Sequence, residues 1–163
     1  MKKLIILRHG KAELQRFDLD DFDRALIERG RKNAFDMGKF IAEKFGVPDL
    51  ILSSAAKRAH QTALLAAEGI GYPQNSVKAD EDLYFVTPKW MLKVLKELPD
   101  AIKSCILVGH NPGLTDLIND FGVLLDNLPT ASAACFEFDV NSWADIATNK
   151  ARFQWIQLAR ELK

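Results

Sequence analysis

Three short apolar runs, Leu4-Ile5-Ile6-Leu7, Ile51-Leu52 and Ile106-Leu107-Val108, each break off into polar or glycine-bearing segments, and that pattern limits the folds open to this chain. A continuous apolar run bounded by charge reads as a strand covered on both faces. Strands are therefore predicted at Lys3 to Leu7, Asp49 to Leu52 and Ser104 to Val108. Helical signals fill the gaps. From Glu28 to Phe45 the apolar residues Ala34, Met37, Phe40, Ile41 and Phe45 recur at helical spacing, and Gly46-Val47-Pro48 ends the run. Ser53 and Ser54 offer capping hydroxyls to a helix from Ala55 to about Ala67. Thr87-Pro88, a cap followed by proline at the first position, opens a helix that carries Met91, Leu92, Val94, Leu95 and Leu98 and stops at Pro99. Asn111-Pro112 repeats the signal for a helix running to about Phe121. Asp18 to Asp23 is a loop, whereas Ala133 to Val140 and Arg152 to Ala159 alternate as half-exposed strands do.

Strands alternating with helices predict an α/β fold, a three-layer sandwich with a mostly parallel central sheet and helices on both faces. The last two strands are placed antiparallel at one side, and strand order stays open. The length fits one domain over residues 1–163, and no repeat or Pro/Gly/Ser linker divides it. With 22 basic and 22 acidic residues there is no global field favouring nucleic acid or an anionic membrane, so any anion site must be a local cluster of cations. Met1-Lys2-Lys3 and the short apolar stretch after it fall short of a signal peptide or membrane span, and the reading is cytoplasmic. Cys105 and Cys135 lack metal-type spacing and read as buried thiols.

The chemistry gathers where the predicted strands end. Arg8-His9-Gly10 follows the first, Ser53 to Ala63 with Arg58 follows the second, and Gly109-His110-Asn111-Pro112 follows the third. Carboxyl ends of parallel strands share one sheet edge, where open α/β folds bind ligands. Arg8, His9, Arg58 and His110 can thus converge, with Gly10 letting backbone approach a ligand closely. Arg58 lies about one turn into its helix, where the dipole also favours an anion. Two arginines, two histidines and helix amino termini describe a dianion site, and phosphate is the occupant that fits best. His60 reads as a structural or surface residue. No cluster of carboxylates and histidines is spaced as a metal site.

At these residues the chain resembles the histidine phosphatase superfamily, whose opening motif is Arg-His-Gly after the first strand, and more narrowly the small SixA-type phosphohistidine phosphatases. The matching segments are Leu7 to Ala12, Asp21 to Leu26 through Arg29-Gly30, Ser53 to Ala63, and Val108 to Gly113, spanning residues 4 to about 118. The resemblance implies a phosphoglycerate-mutase-like sandwich without a large lid insertion. It implies His9 as nucleophile, forming a phosphohistidine intermediate, with Arg8, Arg58 and His110 on the non-bridging oxygens and no metal or cofactor. Arg24 is either a pocket residue or a loop partner of the Asp18–Asp23 acids. Asn111 is read first as a helix cap and second as a substrate contact.

The proton donor to the leaving group is open among Glu81, Asp82 and Asp18. Imidazole, with a reference pKa of ~6.5, leaves well once its other nitrogen is protonated, so a phosphohistidine substrate tolerates a weak acid where an alkyl phosphate does not. Between Asp82 and the third strand there is room for one helix only, which leaves the site open to a side chain from another protein. The leading reading is therefore dephosphorylation of phosphohistidine on a protein, such as a phosphorelay domain. A small phosphate ester is the alternative substrate, and a non-catalytic module binding phosphate or phosphoprotein is a third reading that the presence of a nucleophile argues against. The aromatics Phe136, Phe138, Trp143, Phe153 and Trp155 are read as core.

Overall fold

The computed structural model describes residues 1–162. Its strands are β1 Lys2–Arg8, β2 Leu50–Ser54, β3 Lys78–Asp80, β4 Ser104–Gly109, β5 Ala133–Phe138 and β6 Ala151–Gln157, joined in one sheet of order β3-β2-β4-β1-β5-β6. The pairs β3–β2, β2–β4 and β4–β1 are parallel, and β5 runs antiparallel to both β1 and β6. The α-helices are α1 Glu28–Lys44, α2 Lys57–Ile70, α3 Pro88–Lys96 and α4 Gly113–Asp120.

The two-residue period of a strand sorts the apolar runs into two cores. Leu4, Ile6, Leu52 and Leu107 face α3 and α4, packing with Met91, Leu95, Leu114 and Leu117. Ile5, Leu7, Ile51, Ile106 and Val108 face α1 and α2, packing with Met37, Ile41 and the alanines of α2. The two helices of that face sit close because glycines meet backbone: a Cβ on Gly38 would lie 2.3 Å from the Ala66 carbonyl oxygen, and one on Gly69 would lie 2.4 Å from that of Phe35. Both thiols are buried and unpaired. Cys105 belongs to the α3/α4 core and Cys135 to the α1/α2 core, so the sheet stands between them.

The three-layer expectation holds, and between β3 and β4 only α3 and short turns intervene. Thr87 caps α3 as predicted, accepting from the Trp90 N–H, with Pro88 in the first turn. Three expectations need correction. Strand β3 was not predicted, because three residues at a sheet edge are too few to show a period. Ser53 and Ser54 do not cap α2; they complete β2, and α2 starts after Ala56 without a side-chain cap. Of the aromatics, Phe136, Phe138 and Trp143 are wholly buried, but Phe153 is 45% exposed on the edge strand β6. Trp155 is half-buried, edge-on to Phe40. No helix among the described residues is long and apolar enough to cross a membrane.

Candidate active site

Parallel pairing brings the three strand ends together. Arg8 stands opposite Gly109 in the β1–β4 ladder, and the His9 N–H donates to the Gly109 carbonyl at 3.2 Å. The next residues, His9 and His110, therefore lie side by side with ring centroids 5.2 Å apart. The Ala131 N–H donates to the carbonyls of both Arg8 (3.1 Å) and His9 (3.0 Å). Ala131 sits at φ 58° to do so, a left-handed conformation unusual for a residue with a Cβ. Gly10 closes the turn against α1, its α-carbon so near the Gly30 carbonyl that a Cβ there would lie 2.7 Å from the oxygen. Its N–H donates to Thr62 Oγ1 (2.9 Å), and the Thr62 hydroxyl donates to the Arg58 carbonyl (2.8 Å). The His9 loop and the arginine helix are thus tied by one hydroxyl.

His9 Nδ1 lies 2.7 Å from the Gly10 carbonyl oxygen. A carbonyl only accepts, so Nδ1 carries the proton and Nε2 keeps its lone pair. Around that ring the described residues contain three buried side-chain nitrogens with no hydrogen-bond partner: Arg8 Nε, Arg58 Nε and His110 Nδ1. Buried polar groups are almost always paired, so three orphans in one place mark a site built for an acceptor. His110 Nε2 is 2.8 Å from Ser54 Oγ, which also accepts from the Ala56 N–H at 3.2 Å. With Ser54 donating to Nε2, the His110 proton sits on Nδ1, the orphaned nitrogen.

Burial depresses the pKa of His9 to about 4, helped by the Arg58, Arg8 and Arg24 cations and opposed by the bond to Gly10. Burial, with His9 and Arg58 adding to it, takes His110 down to about 3. Both imidazoles are neutral at physiological pH, which is the state a nitrogen nucleophile needs.

Both arginines are also held from outside. Arg8 donates to the Leu128 carbonyl at 3.0 Å. Arg58 donates to the Asp21 carbonyl (2.7 Å) and to Asp21 Oδ2 (3.0 Å). Asp21 also receives Arg24 Nε (2.9 Å) and the Tyr84 hydroxyl. Burial alone would raise Asp21, but the bond from Tyr84 and the Arg58 and Arg24 guanidinium groups hold it at about 2. It is a carboxylate that orients cations, not a proton donor. Phe85, at φ 50°, lays its ring 4.8 Å from that of His110 and 5.6 Å from the Arg58 guanidinium, forming one wall.

Of the residues predicted from sequence, Arg8, His9, Gly10, Arg58 and His110 come together. Arg24 is the loop partner expected of it, bonding Asp21 and the Glu13 carbonyl (2.8 Å), and it acts on His9 only through its charge. Asn111 spends its carboxamide on structure: Oδ1 accepts from the Thr115 N–H (3.1 Å), and Nδ2 donates to Asn127 and the Leu128 carbonyl. Asp18 is exposed and paired with Arg16, while Glu81 and Asp82 are exposed and bond none of the clustered residues. His60 is half-buried, about 200° round α2 from Arg58. Asp21, Ser54, Thr62, Tyr84 and Phe85 were missed. Asp21 stands among look-alike aspartates, and Ser54 carries the same signal as a helix cap. No group of three or more His, Cys, Asp or Glu among the described residues is arranged to hold a metal.

Comparison with known proteins places the chain among similar folds. The family model for the histidine phosphatase superfamily, branch 1, matches residues 4–84, a span that includes Arg8, His9 and Arg58 and ends before His110. An uncharacterized chloroplastic protein of Arabidopsis thaliana is 26% identical over 153 residues, 88% of this chain and 70% of its own length. A structure from Agrobacterium tumefaciens, assigned as the phosphohistidine phosphatase SixA, superposes with a TM-score of 0.81 at 25% identity, covering 96% of this chain and 97% of the other. The protein histidine phosphatase SixA complexed with tungstate matches with a TM-score of 0.77 at 20% identity, covering 99% of both chains.

Proposed function

Because the chain belongs to the histidine phosphatase superfamily, we propose that it is a phosphatase that hydrolyses phosphohistidine on a protein through a phosphorylated His9. The observation that carries this reading is the set of three orphaned nitrogens around the unprotonated Nε2 of His9. A phosphoryl group in that position would bring acceptor oxygens to these donors.

Nε2 attacks phosphorus in line, the phosphorus–nitrogen bond of the substrate breaks, and the departing imidazole takes the electron pair while keeping the proton on its other nitrogen. Water then attacks the phosphoryl group on His9, releasing inorganic phosphate and restoring the Nε2 lone pair. Arg8, Arg58 and His110 hold the non-bridging oxygens throughout, and such fixed donors supply most of the catalysis in phosphoryl transfer. The Gly10 carbonyl stabilises the charge that His9 gains on phosphorylation.

Substrate class follows from the leaving group. The carboxylate at the cluster is ionised Asp21, and Asp18, Glu81 and Asp82 are turned to solvent. An alkoxide leaving group needs a strong acid at the cage, whereas a protonated imidazole does not, which favours phosphohistidine over sugar phosphates. The short α3 in place of a lid leaves access for another protein.

The test compares hydrolysis of a phosphohistidine protein, a phosphoramidate and a sugar phosphate by wild type and His9→Ala. Turnover should follow that order, and His9→Ala should lose it while still binding phosphate. A rapid quench should trap an acid-labile, base-stable label on His9; a label that persists in His9→Ala would sink the assignment. Preference for the sugar phosphate would move the substrate class to small esters.

A further inference from the structure

Beside the phosphate cage lies a second group of cations that the reaction does not use. Lys11, Arg29 and Arg160, with Asn33 and Thr130, line a pocket of about 210 Å³. Four chain segments, tied in pairs, build it. The Lys11 carbonyl accepts from the Ile27 N–H (3.0 Å) at the start of α1, and the Ala159 N–H donates to Ser132 Oγ (3.0 Å) beside Arg160. The pocket adjoins the cage, because Pro129 and Thr130, which line it, lie between Leu128, whose carbonyl accepts from Arg8, and Ala131, whose N–H donates to the His9 carbonyl.

No carboxylate lines this pocket, and among the described residues none of its three cations is in an ion pair. Of the acids adjacent in sequence, Glu28 is held by Arg31, and Glu161 lines a separate hollow with Asp36 and Lys39. In a chain whose charges balance overall, this is an uncompensated local field. Across the cage the rim has the opposite sign, with exposed Asp20, Asp23, Glu81 and Asp82.

We propose that the Lys11–Arg29–Arg160 pocket is a docking site for carboxylate side chains of the phosphoprotein substrate, seating acidic residues near the phosphohistidine while the phosphoryl group enters the cage. The inference rests on the phosphoprotein reading above. All three cations are exposed, so a small free anion there stays hydrated and gains little. Several carboxylates carried on one chain reach the three cations together, each at high effective concentration once the first has paired. The cations therefore suit a ligand that arrives on a surface.

The experiment uses two unphosphorylated peptides of equal length around a central glutamine, one flanked by Asp and Glu, the other by Asn and Gln. Wild type at low salt should bind the acidic peptide ~10-fold more tightly, the worth of a few exposed charge pairs. That preference should fade as salt is raised. The Arg29→Glu/Arg160→Glu variant should lose it and prefer a lysine-flanked peptide. Equal binding of both peptides by wild type, or a preference unchanged by salt and by the substitutions, would overturn the proposal. Because no peptide carries phosphate, the result stands apart from turnover. An intact preference with no hydrolysis of the phosphohistidine forms would overturn the proposed reaction and support the pocket.

Discussion

A neutral imidazole can carry its proton on either nitrogen, and at His110 the surroundings decide which. An anion in the cage needs a donor on Nδ1, and Ser54 provides the complementary bond to Nε2. Ser54→Ala is expected to lower kcat/KM ~10- to 100-fold, the cost of leaving a buried ring nitrogen unpaired. Ser54→Thr should restore most of it. Nitrogen NMR of the phosphate-bound protein supplies the decisive readout, since the Nδ1–H form should dominate in wild type and lose ground in Ser54→Ala. An unchanged tautomer ratio would leave Ser54 a packing residue only. The sequence made Arg8, His9, Arg58 and His110 legible because each follows an apolar run that ends at a common edge. Asp21, Ser54 and Tyr84 were not legible, since their roles depend on contacts 37 to 63 residues away along the chain.

Among the elements, α1 and the His9 loop meet backbone to backbone at Gly10 and Gly30. A Cβ on Gly30 would lie 2.1 Å from the Lys11 carbonyl oxygen, a contact that backbone cannot absorb without moving. Gly30→Ala should therefore cost on the order of 2 kcal/mol, a fall of roughly 4–8 °C in Tm, and should also reduce kcat by displacing His9. Gly38→Ala, equally crowded against Ala66 but on the far stretch of α1, should lower Tm and spare kcat. If both variants kept wild-type kcat, the loop would not take its position from α1. The same contrast explains which elements could be read in advance. The helices and buried strands carry long periodic patterns, whereas β3 has three residues and the outward face of β6 leaves Phe153 in solvent.

For the molecule as a whole, burying neutral imidazoles makes stability depend on pH. Above the ordinary histidine pKa of 6.5, folded and unfolded forms are both neutral and no difference arises. As pH falls from there toward about 4, the unfolded chain protonates His9 while the folded one does not, so folding loses on the order of 3 kcal/mol. His110, lowered to about 3, acts in the same direction. Asp21 adds its loss further down, as pH drops through its ordinary value of 3.8 toward about 2. Urea midpoints should decline steadily between roughly pH 6.5 and pH 4, and His9→Ala should flatten part of that slope. A midpoint constant across the window would contradict the burial of neutral histidines. The order of the strands, which places all of this on one edge, could not be read from the chain because pairing is decided between distant segments.

The two sulfhydryls lie on opposite faces of the sheet, held by burial at a pKa of about 12. Neither is a thiolate under physiological conditions, and the sheet keeps them from joining. Phosphatase chemistry built on a cysteine stops when an oxidant converts its sulfur to a sulfenic acid. In the proposed reaction the attacking atom is the His9 nitrogen, and both cysteine sulfurs are buried. If His9 is the nucleophile, turnover should survive a peroxide treatment that inactivates a cysteine-based phosphatase, with the thiols serving only as packing.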